Sequence, residues 1–168
     1  MLKTFETVKN AHDIMYAKCG LTLENFAPED ESSAYYAHTF TIKDKQGLYR
    51  IAKITPTKSG SFVTIYKRGD DSLITPYEVS DSIDFVVIAV VDGNNVGEFV
   101  FSKTVLCERN IFSTNSKEGK RAMRVYAPWD KTTSAQAAIT RKWQGAYFVR
   151  LNPLCMESTL KLNHLFAS

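Results

Sequence analysis

Nine residues near the middle of the chain, Ile83–Val91 (IDFVVIAVV), leave the fold the least freedom. Asp84 is their one charged member, and valine and isoleucine dominate. The run falls far short of the length that spans a bilayer. A short, continuous, β-branched run of this kind reads as a strand covered on both faces. Asp92-Gly93-Asn94-Asn95 then carries turn chemistry, and Val96–Phe101 (VGEFVF) returns as the antiparallel partner. With Gly93-Asn94 at the centre of the turn, the ladder sets Asp84 opposite Lys103 and Glu98 opposite Ala89. A sheet buried on both sides needs a layer over each face, which the flanking segments must supply.

Thr4–Lys18 carries Phe5, Val8, Ile14 and Met15 at spacings near three and four, ahead of Gly20, and predicts a helix with one apolar face. Leu21–Ser33, with Pro28 and the acidic run Glu29-Asp30-Glu31, reads as a solvated loop. Ser33–Ile42 reads as the first strand. Tyr49–Thr55 and Phe62–Tyr66 form a hairpin about the Pro/Gly/Ser segment Pro56–Ser61. Gly69–Ser82 is a polar connection. Thr104–Phe112 fits either a short helix or an extended segment, Ser113–Gly119 is a loop, and Ala122–Tyr126 is a further short strand. Thr133 and Gln136 have the spacing of a capping box. They predict a helix from Ser134 to about Leu151, with Ala135, Ile139, Trp143 and Ala146 as its buried stripe and Asn152-Pro153 as its stop. The tail from Leu154 holds Leu160, Leu162, Leu165 and Phe166 and is expected to dock on the body. Strands with helices at both ends give one domain over residues 1–168, of mixed α/β or α+β class.

Charge singles out Lys45–Gly69. Lys45, Arg50, Lys53, Lys58, Lys67 and Arg68 give this stretch +6 with no acid, in a chain of net charge +3, so the remainder sums to −3. Two readings stand side by side: a local anion-binding surface, or a solvated sheet face kept polar against aggregation. Lys131, Arg141, Lys142 and Arg150 add a second acid-free cluster between Lys131 and Met156.

The apolar and charged fractions, 44% and 23%, place the chain among ordinary globular proteins and exclude a disordered or fibrous class. No apolar run reaches bilayer length, and MLKTFETVKNAHD lacks the apolar core of a signal peptide, so no membrane partner is expected. Cys19, Cys107 and Cys155 are odd in number and form no C-x-x-C pair, the pattern of reduced thiols in a cytoplasmic protein. His12, His38 and His164 stand apart at no zinc-like spacing, and no structural metal is expected.

Three ordered stretches carry a family resemblance: AKITPTKSGSFVTIYKR within the basic hairpin, GEFVFSK at Gly97–Lys103, and GKRAMRVYAPWDKT at Gly119–Thr132. Over roughly residues 40–148 the chain resembles the MepB-like proteins, small bacterial proteins named from a gene beside a multidrug efflux pump. The resemblance implies a PD-(D/E)XK nuclease-like fold, a central mixed β-sheet flanked by helices. It also implies a link to a drug-resistance or stress response.

A PD-(D/E)XK site needs clustered carboxylates holding Mg²⁺ and a lysine two residues beyond the second acid. Asp84 is the natural first acid and Glu98 the second, but Val100 stands where the lysine belongs, and Lys103 would have to replace it. The predicted register also parts the two acids by about five residues, ~16 Å along the ladder. An Asp84–Lys103 pair is the expected arrangement, and no catalytic residue or metal ligand is assigned. The function expected is binding of nucleic acid, single-stranded DNA or RNA, without cofactor and without cleavage. Its proposed contacts are Lys53, Lys58, Lys67, Arg68, Lys117, Lys120, Arg121, Arg124, Tyr126 and Trp129. Trp129, before the last helix, also reads as a buried anchor, and that reading is preferred to stacking. The alternatives are a Mg²⁺-dependent nuclease with a migrated lysine and an accessory factor that binds a small molecule or a protein.

Overall fold

A computed structural model describes residues 2–167. In chain order the elements are α1 (Leu2–Cys19), β1 (Glu24–Pro28), β2 (His38–Ile42), β3 (Lys45–Ile51), β4 (Lys53–Ile54), β5 (Ser61–Thr64), β6 (Lys67–Arg68) and β7 (Ile74–Thr75). They continue with β8 (Phe85–Asp92), β9 (Asn95–Ser102), α2 (Lys103–Glu108), β10 (Ala122–Val125), α3 (Ala135–Gly145), β11 (Phe148–Asn152) and α4 (Met156–Ala167).

The apolar run becomes β8, an inner strand of a six-stranded mixed sheet ordered β1-β2-β3-β8-β9-β11. Gly93 takes φ +59, the left-handed turn conformation open to glycine, and Asp92 pairs Asn95 across it. That turn fixes the register: Ala89 faces Glu98, and the Lys103 amide bonds the Asp84 carbonyl at 2.8 Å, both as expected. Within this sheet, among the described residues, β3 and β8 are the one parallel pair. Alternation along β8 explains its unbroken hydrophobicity. Phe85, Val87 and Ala89 enter a core roofed by α1 and α4, while Val86, Ile88 and Val90 enter a second core on the other face.

That second core is closed by a small antiparallel sheet, β10-β5-β4, together with α2 and α3. The expected basic hairpin is therefore divided. Tyr49–Ile51 belong to the large sheet, and only β4 and β5 pair as a hairpin. The tail docks as α4, burying Leu162, Leu165 and Phe166, although Leu160 stays exposed.

Other expectations give way as well. Leu21–Ser33 holds an edge strand, β1, whose residues are all exposed and so show no apolar alternation. The helix expected to reach Leu151 stops at Gly145, capped by Ser134 rather than Thr133. Phe148–Asn152 pairs with β9, because Phe148, Val149 and Leu151 gain burial in the cores that a helix could not give them. Phe148 also lies across Gly97, where a Cβ would fall 2.2 Å from its ring, so this crossing needs glycine. The predicted α3 stripe fails too: Ala135, Ile139 and Ala146 face solvent, and the helix turns Trp143 and Gln144 inward.

Candidate functional site

Three of the six cations of Lys45–Gly69, Arg50, Lys67 and Arg68, pair with carboxylates. Arg50 is 0% exposed, and its Nη1 pairs with Glu29 Oε2 while donating to the Tyr49 carbonyl at 2.9 Å. Lys67 bridges Glu78 at 3.0 Å and Asp81 at 2.8 Å. Burial acts to lower its pKa, but the two carboxylates leave it raised. Arg68 grips both oxygens of Glu31, and that hydrogen bond lowers the Glu31 pKa. The acidic run that read as solvated loop thus supplies two of these partners. Of the proposed contacts in this stretch, Lys53 lies over the Tyr35 ring at 5.2 Å, and Lys58 stands exposed in the β4–β5 loop.

The second basic stretch behaves differently. Lys117 is exposed in its loop, and Arg121 turns to Glu118 and the Ile74 carbonyl. Lys120, Arg124 and Tyr126 come together in a cleft of about 410 Å³ between the end of α2, β10 and α3. Arg109, Gln136 and Trp143 complete its walls. Tyr126 also lines an adjoining recess with Arg141 and Lys142. The cleft is built on a protected strand edge. Buried Gln144 accepts from the Tyr126 amide at 2.8 Å and donates to the Arg124 carbonyl at 2.9 Å, so a side chain replaces the strand that β10 lacks. Arg124 donates to the Ser59 carbonyl and Thr55 Oγ1, tying the Lys58 loop to β10. The Arg109 guanidinium lies 4.8 Å over Trp143, and Arg141 donates to the Pro128 carbonyl at 2.6 Å. Glu108 is the one carboxylate lining either recess among the described residues. Chemically, this is a concave cationic surface with two half-buried rings.

Trp129 stands apart from it. Its ring packs edge-on against Phe148 with centroids 5.6 Å apart, and Arg150 covers it at 5.0 Å, an arrangement that leaves it half-buried as an anchor.

The expected nuclease constellation is dispersed. Asp84 accepts from the Gln46 amide at 2.9 Å, and Lys103 reaches the Val79 and Asp81 carbonyls, so the expected Asp84–Lys103 side-chain pair is replaced by a backbone bond. By strand alternation Asp84 belongs with Val86, while Glu98 points into the opposite core. Glu98 is wholly buried. It accepts from Tyr16 at 2.7 Å, meets His12 Nδ1 at 2.7 Å and accepts from Tyr49 at 3.4 Å. Burial and the Glu98 carboxylate push both tyrosines well above their ordinary pKa. His12, which reads as isolated in the sequence, has its partner 86 positions away. Among the described residues no group of three or more His, Cys, Asp or Glu could hold a metal ion.

Sequence reasoning missed Arg109 and Trp143. Arg109 lies in a segment whose sequence fits helix or strand, and Trp143 falls on the predicted apolar stripe of the helix. The acid-free run around Arg141 and Lys142 was the available signal.

The family model for MepB-like proteins matches residues 29–150, a span that contains the small sheet, the cleft and most of the large sheet. The chain belongs to the MepB-like family. A solved structure titled "Crystal Structure of MepB" superposes with TM-score 0.76 at 34% identity, covering 79% of this chain and 89% of that one. No curated protein matches the chain. No helix among the described residues is long and apolar enough to cross a membrane.

Proposed function

We propose that this MepB-like protein binds single-stranded nucleic acid without cleaving it, through the cleft between α2, β10 and α3. The carrying observation is that Arg109 and Lys120 share one recess with Tyr126 and Trp143 while Arg141 and Lys142 share the adjoining one with Tyr126, residues drawn from the end of α2, the two flanks of β10 and α3. Cations that follow a phosphate backbone, set beside ring faces that accept any base, are the two requirements of single-strand binding. The basic hairpin contributes less to this reading than its composition suggests, because Arg50, Lys67 and Arg68 already have carboxylate partners. On the same reading the fold is a PD-(D/E)XK-like scaffold without nuclease chemistry, which the separation of Asp84 from Glu98 onto opposite faces supports.

The test is an anisotropy titration of a labelled oligothymidylate across a range of salt, repeated with Lys120→Gln/Arg141→Gln/Lys142→Gln. Each lost phosphate contact removes ~0.7 from the slope of log affinity against log salt for a single strand, so this variant should lose about 2. Lys67→Gln/Arg68→Gln should keep the parent slope. A folded cleft variant with an unchanged slope, or loss of slope in the second variant alone, would move the site elsewhere.

A further inference from the structure

Beneath α1, on the sheet face opposite the basic cleft, lies a cavity of about 380 Å³. Its walls are mostly apolar and aromatic: Leu21, Leu23, Phe26, Tyr36 and Tyr49, with His12 as the polar group at its base. A concave, largely apolar recess of this size with one well-placed polar group is the usual form of a small-molecule site.

The chemistry at the base is specific. Glu98 is buried and, among the described residues, has His12 as its one basic partner, with Tyr16 and Tyr49 filling other positions around the carboxylate. His12 Nδ1 lies 2.7 Å from Glu98 Oε2, a contact that orients the imidazole, and the ring lines the cavity; in the tautomer that carries its proton on Nδ1, Nε2 is the ring's acceptor. The ring is held flat against Tyr16, centroids 3.7 Å apart, and its side chain is 15% exposed. Lys9 and Asp13, the charged groups at the rim, pair with each other at 2.6 Å. The mouth carries Phe26, exposed and stacked on His38 with centroids 4.3 Å apart, and Tyr36 beside it.

We propose that this cavity binds a flat aromatic or heteroaromatic small molecule that donates one N–H or O–H hydrogen bond to His12 Nε2. The aromatic mouth accepts the ring faces. The contact between Glu98 and Nδ1 leaves Nε2 as the ring nitrogen without a hydrogen bond to Glu98. This site shares no residue with the proposed nucleic-acid cleft, so either can fail without the other.

Indole and 1-methylindole serve as probes, because they share a shape and differ in the N–H donor. Binding is read from the ¹⁵N resonances of the His12 ring in labelled full-length protein. Indole should shift them saturably, and 1-methylindole should bind at least tenfold more weakly. Ala17→Trp, at an exposed helix position lining the cavity, should abolish both responses in a folded protein. The double variant His12→Phe/Glu98→Gln avoids leaving a buried carboxylate unpaired, and for it the two probes, followed by backbone amide shifts, should bind alike. No saturable shift with indole, equal affinity for both probes in the parent protein, or binding that survives Ala17→Trp would each overturn the proposal.

Discussion

Replacing Arg50 by methionine separates a structural cation from a functional one. Arg50 sits on β3 with its guanidinium inside the molecule. Its Nε donates to the Thr64 carbonyl of β5 at 3.1 Å, and its Nη1 pairs with Glu29, whose other oxygen accepts from Tyr77 at 3.2 Å. The side chain therefore ties the large sheet to the small one and to the segment entering β2. Methionine refills most of the stem, so little cavity remains, but Glu29 loses its cation while its side chain is only 13% exposed. Removing one partner of a buried pair costs about 3–5 kcal/mol. At about 2–4 °C per kcal/mol for a chain of this size, Tm should fall by about 6–20 °C in a circular-dichroism melt. Adding Glu29→Leu should recover most of that loss, because an apolar pair carries no desolvation cost. Oligonucleotide binding by Arg50→Met, measured well below its Tm, should match the parent. A Tm change under about 2 °C, or a flattened salt dependence with stability intact, would refute the reasoning and return Arg50 to the binding surface.

Trp129→Ala should cost about 3 kcal/mol, the lower end for tryptophan truncation because the ring is half-exposed, and should leave oligonucleotide affinity unchanged in parallel melts and titrations. In an alkaline titration followed by tyrosinate absorbance, Tyr16, Tyr49 and Tyr77 should stay protonated until the protein unfolds, since burial raises all three. Their folded pKa values lie above the unfolded value, so the stability they contribute is complete below about pH 10 and is lost as pH rises toward the folded values. Incubation of DNA or RNA with purified protein and Mg²⁺ or Mn²⁺ should yield no cleavage; metal-dependent cutting abolished by Asp84→Asn or Glu98→Gln would reinstate the enzyme.

What was legible in the chain was local. The β8–β9 hairpin, its turn and its register follow from adjacent residues, and the placement of Glu98 opposite Ala89 needs nothing distant. Charge balance was not local. Glu29 and Arg50 lie 21 positions apart, and Glu31 and Arg68 lie 37 apart, so a window that counts cations misses the acids folded against them. Edge strand β1 carries polar and proline residues with no buried face, which leaves no period for a pattern to detect. At β11 a helix-compatible run continues past Gly145, and tertiary pairing with β9 decides against it. The His12–Glu98 contact joins the first helix to a central strand and emerges only when the sheet is assembled. Lys120, Arg124 and Tyr126 read together in the sequence because β10 and the residues on either side of it hold them within a few positions.

The most direct measurement is the emission of Trp143 during addition of an oligothymidylate to the Trp129→Phe variant, in which Trp143 is the remaining tryptophan. A strand in the α2–β10–α3 cleft stacks on or beside that ring and displaces Arg109 from it, so emission should be quenched saturably, with a midpoint equal to the Kd from anisotropy and weakened by salt in step with it. Binding by anisotropy with no change in Trp143 emission would contradict the account, because nucleic acid would then be held somewhere other than this cleft.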